Sequence, residues 1–172
     1  MSHPVYVSCA YVHDRMEKDR ERTVVIDASG DRTQYLGCRI PGSLFFDYAS
    51  IYMGDTCTSA PPLPDAETMH LAVCGMGVGR DTHVYVYDIK GVTVSPHLYW
   101  LFRSMGHLSV SIIDGGLPEW ERLFETESGP ALPCQPCSLL DFSPLPLGPS
   151  MVVTSIDYMR YLAELEAERE RE

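Results

Sequence analysis

The chain has 172 residues, of which 45% are hydrophobic and 22% charged, so it is long enough for one folded domain with appendages and too short for two full α/β domains. No apolar run approaches the roughly 20 residues that a membrane-spanning helix requires. Acidic residues outnumber basic ones 24 to 13, giving a formal charge of −11, and no basic patch interrupts this charge, so nucleic-acid binding is disfavoured.

The first 64 residues combine short extended and helical patterns. In chain order we expect an extended entry at 5–7, a helix from the N-cap Ser8 to about Glu21, and a buried strand at 24–26 that ends at the turn residues 27–31. A loop and a second short extended piece should follow, and residues 40–47 carry a turn and then two aromatic residues. Residues 48–64 are rich in Ser, Thr and Pro and predict a long surface loop.

The next 60 residues alternate helices and strands more clearly. The pattern predicts a helix at 65–74 that is capped by Asp65 and stopped by glycines, a strand at 83–87, an apolar helix from about Ser95 to Met105, a strand at 110–113 and a short helix at 118–124. Strands that alternate with helices indicate a mostly parallel sheet covered on both faces. We therefore predict an α/β three-layer domain.

The remaining residues change in composition. Prolines recur at 130, 133, 136, 144, 146 and 149, which precludes a regular helix and predicts a stiff linker or strap over 128–149. Residues 150–172 predict a terminal helix with an apolar stripe and a charged end.

Six cysteines, without a leader or transit pattern at the start of the chain, favour free thiols in a reducing compartment over a disulfide framework. Either the protein stays where it is made or a presequence is already gone. Cys134 and Cys137 have redox or zinc spacing, but a single pair in a proline-rich segment favours ordinary reduced thiols. We predict neither a metal nor a cofactor.

Five segments carry a family resemblance: VVID at 24–27, RIPGSLFFD at 39–47, GVGRDTHVYVYD at 77–88, YWLFRSMGH at 99–107 and IDGGLPEW at 113–120. In this order they resemble the N-terminal domain of the tandem rhodanese family, which includes thiosulfate and 3-mercaptopyruvate sulfurtransferases. We place the rhodanese-like domain at residues 1–127. Residues 150–172 then resemble the first helix of a second domain that is missing from this sequence.

The resemblance implies a degenerate active-site loop. In this family the catalytic cysteine follows the central strand and begins a six-residue loop whose backbone amides converge on its sulfur. The corresponding residues are Asp88, Ile89, Lys90, Gly91, Val92 and Thr93. Clustered N–H groups at a helix N-terminus stabilise an anion, so a carboxylate can occupy such a loop, but it cannot hold sulfane sulfur as a persulfide. The first half of tandem members commonly lacks the cysteine as well.

Two further family features bear on catalysis. Asp47 matches an acidic residue that helps to line the interdomain cleft of active members. A histidine that some 3-mercaptopyruvate enzymes carry should lie near Pro61 and Pro62, and this segment is shortened and has none. The resemblance therefore gives little support to a catalytic role for this half.

These observations lead to a first hypothesis and two alternatives. The first is a catalytically inactive rhodanese-like domain that acts as a structural or interaction subunit, with the strap and the terminal helix contacting other protein subunits. The alternative is a sulfurtransferase whose cysteine domain is supplied in trans or truncated away. A related phosphatase is less favoured, since residues 88–93 contain neither cysteine nor arginine. The family implies a mitochondrial location, or otherwise a cytoplasmic one.

Overall fold

The computed structural model describes residues 3–52, 64–131 and 133, and these form an α/β domain around a five-stranded sheet. The strands are β1 (Tyr6–Val7), β2 (Thr23–Asp27), β3 (Leu44–Phe45), β4 (His83–Tyr87) and β5 (Val110–Ile113). Their order across the sheet is β1-β5-β4-β2-β3, and every neighbouring pair is parallel. The predicted parallel α/β fold is confirmed.

Four helices connect these strands and a fifth follows the last strand: α1 (Cys9–Lys18), α2 (Arg32–Gly37), α3 (Ala66–Gly75), α4 (Ser95–Ser104) and α5 (Gly116–Leu123). Two of the predicted caps are present. The hydroxyl of Ser8 accepts a hydrogen bond from the Tyr11 amide at 3.2 Å, and the Asp65 carboxylate accepts one from the Thr68 amide at 3.1 Å. Each cap satisfies an amide that has no partner within its helix.

The core lies on both faces of the sheet, because successive residues of a strand point to opposite sides. In β4, Val84 and Val86 face a cluster that includes residues of α3 and α4. Tyr85 and Tyr87 face a second cluster that includes residues of α1 and α5. Two helical layers therefore enclose the sheet, and the central strands are buried on both sides.

Two of the predicted elements need correction. The helix expected to reach about Glu21 ends at Lys18 and is followed by a 3-10 turn at Arg20–Arg22, because Asp19 leaves the helical conformation (φ −145°) while its side chain pairs with Arg15 at 2.7 Å. The loop expected after the first long strand contains α2. Its N-cap Asp31 accepts hydrogen bonds from the backbone and side chain of Gln34 at 3.1 and 2.7 Å.

Several sequence predictions fall partly or wholly on residues that the structure does not describe. The long loop at 48–64 begins with a 3-10 turn at Tyr48–Ser50, and its residues 53–63 lie outside the described ranges. Most of the predicted strap and all of the predicted terminal helix, residues 132 and 134–172, also lie outside them. In the part of the chain that is described, no helix is long and apolar enough to span a bilayer.

Candidate functional site

The predicted loop begins where the central strand β4 ends. Asp88 directly follows Tyr87, the last residue of β4, and Ser95 begins α4 seven residues later. Asp88 is fully buried at this carboxyl edge of the sheet. In open α/β sheets this edge is where functional groups gather, because loops and helix N-termini converge there.

The carboxylate of Asp88 is held by four backbone amides. Its Oδ2 atom accepts hydrogen bonds from the amides of Thr93, Val94 and Ser95 at 2.8, 2.9 and 2.9 Å. Its Oδ1 atom accepts a fourth from the amide of Lys90 at 2.9 Å. Two of these donors belong to the loop and two lie at the start of α4, where free amides and the helix dipole favour a negative charge. The loop is thus an anion site that its own first residue fills.

These contacts determine the charge state of Asp88. Burial alone would raise its pKa, but the hydrogen bonds from the amides of Ser95, Thr93, Val94 and Lys90 outweigh burial and hold the pKa of Asp88 below its usual value. The carboxylate is therefore ionised at neutral pH. An ionised carboxylate accepts hydrogen bonds but has no proton to donate.

The backbone of the loop is fixed by two neighbouring turns. The amide of Leu117 donates to the carbonyl oxygen of Asp88 at 3.0 Å, and the amide of Ile89 donates to the hydroxyl of Ser29 at 3.1 Å. Gly116 has φ +55°, and a Cβ atom there would lie 2.3 Å from the carbonyl oxygen of Gly91 and 2.5 Å from that of Asp88. Only glycine allows so close an approach between the start of α5 and the loop.

The other loop residues divide between packing and exposure. Ile89 and Val92 are half-buried and pack against the two core clusters on opposite faces of the sheet. The side chains of Lys90 and Thr93 are exposed, and Gly91 adopts φ +109°. Residues 88–93 contain no thiol, imidazole or guanidinium group.

The three described cysteines, Cys9, Cys38 and Cys74, lie outside the loop. Burial and the charge of Glu119 raise the pKa of Cys9 to about 11. Burial and a 3.0 Å contact with Glu121 raise the pKa of Cys38. Cys74 is buried within α3. A thiol with a raised pKa is a poor nucleophile at neutral pH, so the surroundings of Cys9 and Cys38 do not activate either thiol.

Asp47 occupies a different position from Asp88. Its side chain is exposed and accepts a hydrogen bond from the amide of Ala49 at 3.0 Å, which caps the 3-10 turn that follows β3. The carboxylate of Asp47 therefore stabilises the start of this turn. Its assignment to an interdomain cleft stays a prediction, as does the catalytic assignment of residues 88–93.

Sequence reasoning missed the buried polar residues that support the loop. Asp27 is fully buried at the end of β2, beside Tyr87 in the sheet register. Its Oδ1 atom accepts hydrogen bonds from both the amide and the hydroxyl of Ser29. The hydroxyl oxygen of Ser29 in turn accepts a hydrogen bond from the amide of Ile89. Burial raises the pKa of Asp27, and the charge of Asp88 acts in the same direction. The signal that could have identified Asp27 is its position directly after the apolar residues Val24, Val25 and Ile26, as the last residue of β2.

Nothing in the described ranges points to a metal centre: no three His, Cys, Asp or Glu side chains of residues 3–52, 64–131 and 133 come together in a suitable group. The predicted CxxC pair, Cys134 and Cys137, and the segment around Pro61 and Pro62 lie outside those residues.

Comparison with known proteins places the site in a family context. A model of the rhodanese-like domain matches residues 8–123. The 3-mercaptopyruvate sulfurtransferase of Escherichia coli K12 is 38% identical over 90 residues, which are 52% of this chain and 31% of that protein. The rat 3-mercaptopyruvate sulfurtransferase is 32% identical over 141 residues, which are 76% of this chain and 43% of that protein. The chain thus spans less than half the length of these relatives.

Solved structures give the same fold. The crystal structure of the E. coli 3-mercaptopyruvate sulfotransferase SseA matches with a TM-score of 0.74 at 26% identity, covering 94% of this chain and 64% of that one. A sulfur transferase subunit of yeast mitochondrial complex I matches with a TM-score of 0.75 at 22% identity, covering 93% and 58%. At that identity the second match shows the fold alone.

Proposed function

The chain belongs to the rhodanese-like family, and from this premise we propose that it is a catalytically inactive member that acts as a structural or interaction subunit of a larger protein complex. The observation that carries the proposal is the set of four amide hydrogen bonds to the carboxylate of Asp88. A sulfurtransferase loop of this family directs such amides at the sulfur of a cysteine. Here the same kind of donor is committed to a fixed carboxylate.

The chemistry of the two groups differs in a decisive way. A cysteine thiolate attacks a sulfane sulfur and becomes a persulfide, which the loop amides stabilise as an anion. The carboxylate of Asp88 is already an anion, and the loop amides already donate their hydrogen bonds to it. In addition, a carboxylate oxygen forms no stable bond to sulfane sulfur. The donors at Thr93, Val94 and Ser95 are therefore not free to bind a transferred sulfur or the sulfonate end of thiosulfate.

A structural role also accounts for the retained architecture. Gly116, Ser29 and the start of α4 all contact the loop, although it carries no thiol. The predicted strap 128–149 and terminal helix 150–172 would carry the contacts with other protein subunits. A nucleic-acid partner is disfavoured by the formal charge of −11.

A mitochondrial location is part of the proposal. A relative from Arabidopsis thaliana, 39% identical over 88 residues, is a mitochondrial thiosulfate/3-mercaptopyruvate sulfurtransferase. The yeast complex I subunit provides a precedent for this fold within a mitochondrial assembly. Fractionation of cells that express the natural protein tests the location, and recovery outside mitochondria would refute it.

A second candidate function rests on the coverage of the relatives. Because the matched regions cover 31% of the E. coli and 43% of the rat 3-mercaptopyruvate sulfurtransferase sequence, a domain with the catalytic cysteine could complete the chain, either on the same polypeptide or in trans. In that case this domain would form one wall of an active cleft, and the exposed carboxylate of Asp47 would contribute to it.

One experiment separates the two functions. The chain alone, and the native assembly isolated with it, are assayed for sulfur transfer from thiosulfate and from 3-mercaptopyruvate. The structural proposal expects co-isolated partner subunits and no turnover in either sample. Turnover in the assembly alone supports the completed sulfurtransferase. Turnover by the chain alone, or isolation as a lone monomer at physiological salt, contradicts the structural proposal.

A further inference from the structure

A wide groove lies on the face of the domain that carries α1 and α5, apart from the Asp88 loop. It has a volume of about 1240 Å³. Its apolar walls come from three parts of the fold: Met16 on α1, Leu123 and Phe124 at the end of α5, and Pro41 and Leu44 around the entry to β3. The groove therefore joins surfaces that are far apart in the sequence.

The floor of the groove is apolar and firmly packed. The ring of His13 stacks on that of Phe124, with 4.2 Å between the ring centres and 8° between the planes. Trp120 is buried, and its indole N–H donates to the carbonyl oxygen of Glu125 at 3.0 Å. Leu123, by contrast, exposes 46% of its surface. Leu123 shares the lining with Met16, Pro41, Leu44 and the aromatic floor, and an apolar patch of several residues is a feature of surfaces that another segment covers.

Charge around the groove argues against a strongly charged ligand. Four glutamates and three arginines line it, so neither sign dominates. Two of these charges are already paired with each other, since the guanidinium of Arg39 contacts the carboxylate of Glu127 at 2.6 Å. A third, Arg122, pairs with Glu119 at 2.6 Å. An occupant with few charges and much apolar surface fits this lining best.

The described chain runs into this groove at its carboxyl end. Arg39 and Glu127 exchange two backbone hydrogen bonds of 2.9 Å, and the buried guanidinium of Arg39 also donates to the carbonyl oxygen of Gly129 at 2.7 Å. These contacts fix the direction of the chain as it leaves the domain. Ala131 and Pro133, which come next, themselves line the groove.

The sequence that continues from Pro133 has the matching composition. Residues 134–149 carry a single charge, at Asp141, and five large apolar side chains, Leu139, Leu140, Phe142, Leu145 and Leu147. Its prolines favour an extended backbone, and extended proline-rich segments bind aromatic-lined grooves with little loss of conformational entropy. We propose that residues 134–149 of the same chain occupy the groove between α1, α5 and residues 41–44.

The test is amide hydrogen exchange on the full chain, with matched leucine variants. In the unmodified protein we expect the amides of residues 139–142 to exchange at least about tenfold more slowly than those of an unprotected peptide. Leu123→Asp places a charge in the groove and should abolish this protection. Leu108→Asp changes a leucine that is 56% exposed outside the groove and should leave the protection intact.

Phe142→Asp makes the corresponding change in the segment instead of the groove, and it replaces Leu123→Asp in the test if that variant does not fold. It should also abolish protection of the segment without unfolding the domain. Exchange at unprotected rates in the unmodified chain, or protection that survives both variants, would overturn the proposal. Protection that disappears on dilution would overturn it too, because it would assign the groove to a second copy of the chain. Activity plays no part in this test. Its outcome bears on the contacts proposed for the strap 128–149 with other protein subunits, but not on the proposed catalytic inactivity.

Discussion

The Oδ2 atom of Asp88 lies 2.9 Å from the backbone nitrogen of Ser95, the first residue of α4. This contact joins the end of the central strand to the beginning of the next helix through a charge. It makes Asp88 both the occupant of an anion site and the cap of a helix whose N-cap residue, Val94, makes no capping hydrogen bond with its own side chain. The same carboxylate thereby stabilises the loop and occupies the amides that a sulfurtransferase of this family directs at sulfur.

Asp88→Asn should destabilise the domain substantially. The asparagine has nearly the same shape, but it lacks the charge. Its NH₂ group is a hydrogen-bond donor, so it would face backbone amides that are themselves donors and would leave them without an acceptor. We expect a loss of about 2–4 kcal/mol in the free energy of unfolding, measured with urea. Asp47→Asn is the matched control, because Asp47 is exposed and asparagine caps a turn about as well as aspartate, so its effect should stay below about 0.5 kcal/mol. Equal effects of the two substitutions would contradict the role assigned to Asp88.

The contribution of Asp88 should depend on pH with a defined sign. Its pKa is lower in the folded state than in the unfolded chain, where it is about 3.9. The stabilisation is therefore complete above about pH 4 and is lost as the pH falls through the lower folded value. The difference in unfolding free energy between the unmodified protein and Asp88→Asn should accordingly shrink between pH 7 and pH 3. A difference that stays constant over that range would show that the charge is not the stabilising feature.

Gly116→Ala tests the approach of α5 to the loop. The new Cβ would lie 2.3 Å from the carbonyl oxygen of Gly91, at a residue with φ +55°, so backbone must move. We expect a loss of about 3 kcal/mol or more in chemical unfolding. Gly37→Ala is the control, since nothing lies within 4 Å of the added atom, and it should be neutral or slightly stabilising. A well-tolerated Gly116→Ala would mean that the loop can shift without cost.

The fold was largely predictable because its signals are local and consistent. Apart from His83 and Ser111, the residues of β4 and β5 are apolar or aromatic, and each strand is followed by a glycine-containing turn and a helix. The helix α2 was not predicted, because six residues are too few to display a helical period and its cap at Asp31 resembles any turn aspartate. The helix α1 ends at Lys18 because the next residue, Asp19, is not helical, and the pattern of apolar residues does not encode this change.

Of the candidate site, the sequence predicts the loop but not the residues that support it. Asp88 and the loop 88–93 follow from the strand that precedes them and from the family resemblance. The supporting residues Ser29 and Gly116 are distant in the sequence and reach the loop only through the parallel order of β2, β4 and β5. Such contacts depend on tertiary structure, so a single sequence does not reveal them.

His83 should make the domain sensitive to mild acid. Burial, together with the neighbouring His3, His107 and Arg15, lowers the pKa of His83 to about 4 in the folded state, from 6.5. Its ring also contacts the hydroxyl of Ser111 at 3.0 Å. Because the unfolded chain then binds more protons, the stability contributed by neutral His83 is complete above pH 6.5 and declines as the pH falls toward 4.

His83→Gln should remove part of this decline. Thermal unfolding of both proteins at pH 7 and pH 5 is the measurement, and the fall in Tm between the two pH values should be smaller for His83→Gln. Identical pH profiles for the unmodified protein and His83→Gln would contradict the assignment.

The most direct measurement of the central claim is mass spectrometry for a persulfide after incubation with thiosulfate or 3-mercaptopyruvate. The unmodified protein and Asp88→Cys are treated in parallel, since the substitution places a thiol among the amides of Thr93, Val94 and Ser95, where its thiolate is stabilised. We predict no persulfide on any cysteine of the unmodified chain and a persulfide at position 88 of the variant. A persulfide on the unmodified chain, formed together with turnover, would contradict the account.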